Sequence, residues 1–214
     1  MENLSGRIFL EELHGPSFFK GPDDGFCALR HFSHETLPAG KKQVFKVPAD
    51  HSMVLVPVTG ELICKDIHRG GNLEVNAGQI LFISNPASSE TVIRNPFKAY
   101  EINYLLLLFK NTERQPLVQQ FDFELNDHPN TLINIMSLQE QPFKLNIGRF
   151  EGRREATLEL SNAAVFCFAL SGAFEIQGRL LHAGDGLALW NLATAELEAL
   201  SNNAVILIIE LPYI

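Results

Sequence analysis

The chain has 214 residues, is 46% apolar and carries a net charge of −8, which suits one large or two small domains with sizeable cores. An acidic chain without a basic run does not attract phosphate backbones or anionic lipids, so we expect neither a nucleic-acid nor a membrane partner. The opening stretch MENLSGRIFLEELHG lacks the features of a signal peptide, and apolar runs such as residues 104–109 are too short to cross a bilayer. Three widely spaced cysteines predict reduced thiols in a cytoplasmic protein, without a disulfide framework or a zinc site.

Strands are predicted along nearly the whole chain, because segments rich in Val, Ile, Leu and Phe alternate with short turn sequences. In chain order the predicted strands are LICKDI, QILFIS, EINYLLLLF, TLELSNAAVFCFAL, AFEIQG, GLALW and AVILIIEL. The segment TLINIMSLQ, which begins at Thr131, fits either a helix or a strand. This pattern predicts an all-β sandwich or barrel.

A glycine pattern occurs twice in the chain. Gly40 and Gly60 are 20 residues apart, and so are Gly152 and Gly172, with an offset of 112 between the copies (152 − 40 and 172 − 60). In each copy a short strand and an Ala-Gly pair follow the second glycine. Tight hairpins favour glycine because it adopts positive φ. A chance match is the alternative, but the shared strand pattern favours two tandem barrels of related design.

Short motifs along the whole chain resemble those of the pirin family, most closely its bacterial quercetin-dioxygenase-like branch. The motifs are GRIFL, TLPAG, PVTG, ICKD, AGQI, GDGL and the final LP. The resemblance implies a bicupin, with two tandem cupin barrels of the double-stranded β-helix or jelly-roll type. We accordingly predict an N-terminal barrel at residues 1–112, a polar connecting segment at 113–140 and a C-terminal barrel at 141–214.

Family members bind iron(II) or a similar divalent metal in the first barrel through three histidines and one glutamate, which suits dioxygenase chemistry. Counted from the turn glycines, the resemblance maps these four ligands onto Lys46, Pro48, Thr91 and Ile93. A charged lysine has no lone pair, proline and isoleucine have no donor atom, and threonine is a poor neutral ligand. The resemblance therefore implies a degenerate metal site and no metal cofactor.

The repeat predicts where the first two of these positions point. An offset of 112 maps positions 46 and 48 onto Leu158 and Leu160, which we expect to face the C-terminal core. The side chains of Lys46 and Pro48 are therefore predicted to point into the N-terminal barrel, which they would line together with Thr91 and Ile93.

The polar residues near these positions leave several interpretations open. Lys46 either lies at the barrel mouth with its ammonium in water, or replaces the metal's charge and meets Glu61, Glu90 or an anionic ligand. A rearranged metal site would use His51 with Glu90. The other histidines are interpreted as surface residues, and His31 and the next histidine, three residues later, point to opposite faces of a strand.

Three functions are consistent with the sequence. The first is a metal-free binding or regulatory protein, with a small molecule in the N-terminal barrel or a protein partner on its outer surface. The second is a metal-dependent oxidoreductase similar to quercetin 2,3-dioxygenase, with displaced ligands. The third is a structural module with filled barrels. The high phenylalanine content, 16 residues against one tryptophan and three tyrosines, favours such filled interiors. We take the first as the main hypothesis.

Overall fold

The computed structural model describes residues 5–19, 24–65, 71–110, 116–136, 138, 141, 143–160 and 164–212. In this part of the chain, regular structure consists of nineteen strands and one short helix, α1 (Glu11–His14). The strands are, in chain order, β1 Ser5–Phe9, β2 Leu29–Leu37, β3 Lys42–Val47, β4 His51–Pro57, β5 Glu61–Lys65, β6 Asn72–Asn76, β7 Gln79–Asn85, β8 Ser89–Arg94, β9 Ile102–Lys110, β10 Leu117–Asp122, β11 Thr131–Met136, β12 Lys144–Phe150, β13 Glu155–Glu159, β14 Ala164–Ser171, β15 Ala173–Ile176, β16 Arg179–His182, β17 Gly186–Trp190, β18 Thr194–Ala199 and β19 Ala204–Leu211. The predicted all-β fold is confirmed.

Two antiparallel sheets form the N-terminal unit, which comprises the described residues of Phe19–Gly25 and Leu29–Phe123. The larger sheet has the order β10-β7-β4-β9-β2, and the smaller sheet has the order β3-β8-β5-β6. The inward faces of both sheets bury an apolar core that includes Met53, Leu55 and Leu106. Strand β9 is apolar without alternation because residues on both of its faces are buried.

The C-terminal unit has the same arrangement and comprises the described residues of Met1–Phe18, Phe26–Ala28 and Glu124–Ile214. Its larger sheet has the order β1-β17-β14-β19-β12-β11, and its smaller sheet has the order β13-β18-β15-β16. The core between these sheets is built from residues of β12, β14, β15, β17, β18 and β19.

The strand orders establish the duplication, because β2 to β9 of the first unit match β12 to β19 of the second in both sheets. Gly60 and Gly172 occupy the same turn with φ of +72° and +74°, so the offset of 112 holds there. At the preceding turn, however, Gly40 with φ of +67° matches Arg153 with φ of +63°, not Gly152. Strand β3 therefore matches β13 with an offset of 113, one residue more than the sequence predicts.

The division of the chain differs from the predicted domain boundaries. Strand β1 pairs with β17, and the Phe9 and Phe18 rings pack edge-on against Phe166, so this N-terminal segment belongs to the C-terminal unit. The predicted connecting segment is also split. Strand β10 extends the N-terminal sheet next to β7, whereas β11 extends the C-terminal sheet next to β12.

Two local predictions are resolved by the strand assignment. The ambiguous segment at Thr131 forms strand β11, and TLELSNAAVFCFAL forms two strands, β13 and β14, with residues 161–163 outside the described ranges. Residues 66 and 67 of LICKDI also lie outside them. Within the part of the chain that is described, no helix has both the length and the apolar content needed to cross a bilayer.

Candidate functional site

Strand β3 forms part of the wall of the N-terminal barrel, and its register differs from the predicted one. Val47 is buried and Phe45 packs against the core, whereas the side chain of Lys46 is 85% exposed. The prediction that Lys46 and Pro48 point inward is therefore wrong, because the copies are offset by 113 residues here and Lys46 matches the outward Glu159. The inward positions are held by phenylalanine and valine.

The charged groups near this wall meet on its outer surface. Lys46 and Glu90 are cross-strand partners, and the Lys46 Nζ lies 4.0 Å from the Glu90 Oε1. Because both side chains are well exposed, this ion pair contributes little to stability. Beside it lies a cleft of about 440 Å³, lined by Lys46, Val47, Pro48, Ser88, Ser89 and Glu90.

Strand β8 supplies hydroxyl groups to the inward face. Thr91 and Ile93 are fully buried, as is expected for side chains that alternate with the exposed Glu90. Ser89 lies on the same face as Thr91, one step nearer the cleft. The Ser89 Oγ and the Thr91 Oγ1 are buried and have no hydrogen-bond partner.

Strand β2 carries a polar row that the sequence analysis missed. His31, Ser33 and Glu35 alternate along the face that also carries the buried Leu37, and the His31 Nε2 lies 3.0 Å from the Ser33 Oγ. Burial lowers the pKa of His31, so the neutral imidazole is favoured. The interpretation of His31 as a surface residue is wrong. In the sequence, the polar residues at every second position of the HxSxE pattern, just before a turn, indicate such a row.

A hydrogen bond between the two sheets links the Glu35 end of this row to strand β3. Tyr104, the cross-strand partner of Glu35, is fully buried, and its hydroxyl donates to the Gln43 Oε1 at 3.1 Å. Burial, and secondarily the Glu35 carboxylate, raise the pKa of Tyr104, so the phenol stays protonated. Polar groups therefore line the interior on both sheets between Tyr104 and the cleft.

The remaining predicted polar residues do not converge on one point. Glu61 alternates with the buried Leu62 and is directed outward, and Glu90 lies on the outer face of β8. The alternation of β4 places His51 on the same side as the buried Met53, and its Nδ1 lies 2.8 Å from the Ala49 carbonyl oxygen. His51 and Glu90 thus lie on opposite faces of the barrel wall.

A divalent metal does not fit the residues at the inward positions. Phe45, Val47 and Ile93 have no donor atom, and the Thr91 hydroxyl is a weak neutral ligand. Among the residues that the structure describes, no group of three His, Cys, Asp or Glu side chains is placed to hold a metal ion.

The C-terminal barrel fills the matching positions differently. Where β3 and β8 pair Phe45 with Thr91, β13 and β18 pair Leu158 with Ala195, which is fully buried. At one end of the same barrel, the Glu210 carboxylate is 3% exposed and accepts a hydrogen bond from the Asn146 Nδ2 at 3.0 Å. The Lys144 Nζ lies 3.5 Å from its other oxygen. This barrel therefore has apolar residues in those positions and pairs its buried carboxylate.

Two barrels with this duplicated strand order define the chain as a bicupin. Residues 137–211 match the family model of the quercetinase C-terminal cupin domain. The resemblance to the pirin family predicted from the sequence is confirmed. No protein of curated function matches the chain at a significant level.

Solved structures share this fold over nearly the whole chain. The bacterial pirin YhhW from Escherichia coli, in complex with nickel(II), has a TM-score of 0.83 and 17% identity, covering 98% of this chain and 100% of that one. YhaK from Escherichia coli has a TM-score of 0.77 and 19% identity, with coverages of 92% and 93%. Quercetin 2,3-dioxygenase from Acinetobacter baumannii has a TM-score of 0.74 and 13% identity, with coverages of 97% and 79%.

Proposed function

We propose that this protein is a pirin-like bicupin without a metal cofactor, and that its N-terminal barrel binds a small molecule without converting it. The observation that carries the proposal is the chemistry of four inward positions on β3 and β8. The resemblance to the pirin family maps its three histidines and one glutamate onto Lys46, Pro48, Thr91 and Ile93, of which Lys46 and Pro48 are exposed. The inward side of this wall presents Phe45, Val47, Thr91 and Ile93, none of which is a good metal ligand.

Binding by the N-terminal barrel is supported by its unpaired polar groups. A buried hydroxyl without a partner costs about 1–3 kcal/mol, so proteins rarely keep one without a use. The Ser89 and Thr91 hydroxyls are both in this state, and Ser89 lines the cleft. A filled structural module has no need of them, which favours a binding protein over the purely structural alternative.

The dioxygenase alternative receives no support from the residue geometry. A rearranged site needs at least two imidazoles that converge with a carboxylate. His31 and His51 lie on strands separated by β9, and Glu90 points outward from the smaller sheet. Oxygen uptake with a flavonol and added iron(II) tests this alternative, and we expect none above the protein-free rate.

A metal titration followed by thermal unfolding tests the proposal, with a ligand-restored variant as the positive control. We expect iron(II) and nickel(II) to leave the wild-type melting temperature unchanged. The variant F45H/V47H/T91H/I93E places donors at the inward positions, so it should be stabilised by metal. The matched control K46H/P48H/T91H/I93E places two donors on exposed residues and should respond much less. A melting temperature of the wild type that rises with metal would refute the metal-free assignment.

A further inference from the structure

The outer faces of the two smaller sheets carry opposite charges at matching positions. On the N-terminal face, Lys42 of β3 lies opposite Arg94 of β8, and these two cations form the basic row. On the C-terminal face, the same positions and the next strand hold three carboxylates that form the acidic row: Glu155 of β13, Glu198 of β18 and Glu175 of β15. The offset of 113 between β3 and β13 maps Lys42 onto Glu155. One surface of the duplicated fold is therefore locally basic in the first unit and acidic in the second.

The acidic row concentrates negative charge that the described part of the chain leaves unpaired. Its central member, Glu198, lies directly opposite a carboxylate on each side, and like charges in that arrangement are destabilising. Among the described residues, no ion pair joins the row to a cation, including Arg153 and Arg154 just before β13. Glu196 adds a fourth carboxylate on the same side of β18, and the four line a concavity of about 390 Å³.

The basic row lies in a face of mixed composition. Lys42 and Arg94 are exposed and form no ion pair with any residue that the structure describes. Over the whole outward side, four cations stand against three carboxylates, which are Lys42, Lys46, Lys65 and Arg94 against Glu61, Glu74 and Glu90. Because Glu90 is paired with Lys46 and the other two carboxylates lie on β5 and β6, the unpaired positive charge is concentrated at the basic row.

A second copy of the chain supplies the counter-charge for each row. Two sheets that pack face to face lie about 10 Å apart, which lets long cationic side chains reach carboxylates on the facing sheet. Lys42 and Arg94 of one copy can thus pair with the acidic row of another, a pairing that neither row finds among the described residues of its own chain. Val44 on the N-terminal face and Leu180 on the C-terminal face are each 50% exposed. The two faces are therefore complementary in charge, and each offers an apolar contact.

We propose that the chain self-associates through the outer face of the smaller N-terminal sheet of one copy and the outer face of the smaller C-terminal sheet of another. Four strands about 4.8 Å apart and about 17 Å long cover roughly 300 Å² per partner, which is the size of a weak contact. Because the two surfaces differ, the contact is heterologous, and association continues past the dimer unless a ring closes. This inference goes beyond the proposed ligand binding and does not depend on it.

Sedimentation velocity of the full chain at high micromolar concentration tests the self-association. The net charge of −8 repels copies at long range, but at about 0.1 M salt this repulsion is screened beyond about 10 Å. Charges in contact keep their attraction at that ionic strength and lose most of it at about 1 M salt, where screening acts over about 3 Å. We expect a weight-average mass above that of the monomer at about 0.1 M salt and the monomer mass at about 1 M.

Charge reversal on each face assigns the contact to the two rows. K42E/R94E makes the basic row acidic, and E155K/E198K makes two members of the acidic row basic. Each variant alone should associate at least about ten-fold more weakly than the wild type, because attractive pairs become repulsive. An equimolar mixture of the two variants should associate again, since each then offers the charge that the other lacks.

A control with the same change of net charge separates the rows from the overall charge. K98E/K110E reverses two exposed lysines that lie outside the basic row and should associate almost like the wild type. Melting curves show whether each variant is folded. A wild type that is monomeric at every salt concentration would overturn the proposal, as would a control that loses association to the same extent as K42E/R94E. A mixture that stays monomeric would overturn the pairing of the two rows.

Discussion

The two barrels of this chain have the same strand order but differ at particular buried polar groups. The C-terminal barrel buries a carboxylate, Glu210, and satisfies it with an amide and an ammonium group. The N-terminal barrel buries the Ser89 and Thr91 hydroxyls and leaves both unpaired. Since both barrels have this strand order, the comparison separates what the fold requires, an apolar interior, from the hydroxyls that the N-terminal barrel adds to it.

The largest predicted effect tests which residues complete the C-terminal barrel. Phe18→Ala removes a ring that is 2% exposed and packs against Phe166 and Phe168, and it should destabilise the protein by about 4 kcal/mol. Hydrogen exchange should show the loss of protection in β14 and β17, not in β4 and β9. Leu13→Ala, at a residue that is 73% exposed, is the matched control and should have little effect. Loss of protection confined to the N-terminal sheets would refute the assignment of this segment.

The second largest predicted effect is the loss of stability when the buried carboxylate of Glu210 is removed. Glu210→Ala leaves the Asn146 amide and the Lys144 ammonium without their acceptor, and should reduce the free energy of unfolding by about 3 kcal/mol. Lys144→Ala should cost less, about 1–2 kcal/mol, because the buried carboxylate loses its ammonium partner but keeps the hydrogen bond from the Asn146 amide. Denaturant unfolding measures both values. Equal costs for the two variants would contradict this description of the network.

An exchange of residues between matching positions tests the comparison from both sides. Thr91→Val should stabilise the unliganded protein by about 1 kcal/mol, because it removes an unpaired buried hydroxyl at constant shape. Ala195→Thr should destabilise it by about 2 kcal/mol, because it adds an unpaired hydroxyl and excess volume to a packed wall. Chemical denaturation of the two variants gives these signs, and a destabilised Thr91→Val would argue that the hydroxyl serves the fold.

The smallest effect concerns pH. Because the pKa of His31 is lowered in the folded state, the unfolded chain binds its proton more tightly. The contribution of His31 to the free energy of unfolding is therefore fully present above its pKa in the unfolded chain, about 6.5. This contribution is lost as the pH falls below that value, because the unfolded chain takes up the proton first. Unfolding free energies of the wild type should therefore decline over this range more steeply than those of His31→Asn. Equal slopes would show that His31 does not contribute.

The sequence was sufficient to predict the architecture. Period-two alternation and repeated turn glycines identify two related β-barrels, and Gly60 and Gly172 do share one backbone conformation. The domain boundaries were not predictable in this way. The pairing of β1 with β17 joins residues that are far apart in the chain, and nothing in the short apolar motif GRIFL indicates which barrel it completes.

The candidate site was predicted less well than the fold, for a physical reason. Side chains alternate between the two faces of a strand, so a one-residue error at the turn after Gly40 exchanges the inward and outward positions of β3. Lys46 was therefore placed inside, and Phe45 and Val47 were overlooked. The unpaired hydroxyls were beyond the sequence altogether, because the absence of a partner depends on groups from several strands.

Elemental analysis of the purified protein would decide whether it carries a metal. We expect iron, nickel, manganese and zinc each far below one equivalent per chain, also in protein produced in metal-supplemented medium. One equivalent of any of these metals, lost on substitution of a residue that lines the N-terminal barrel, would contradict it.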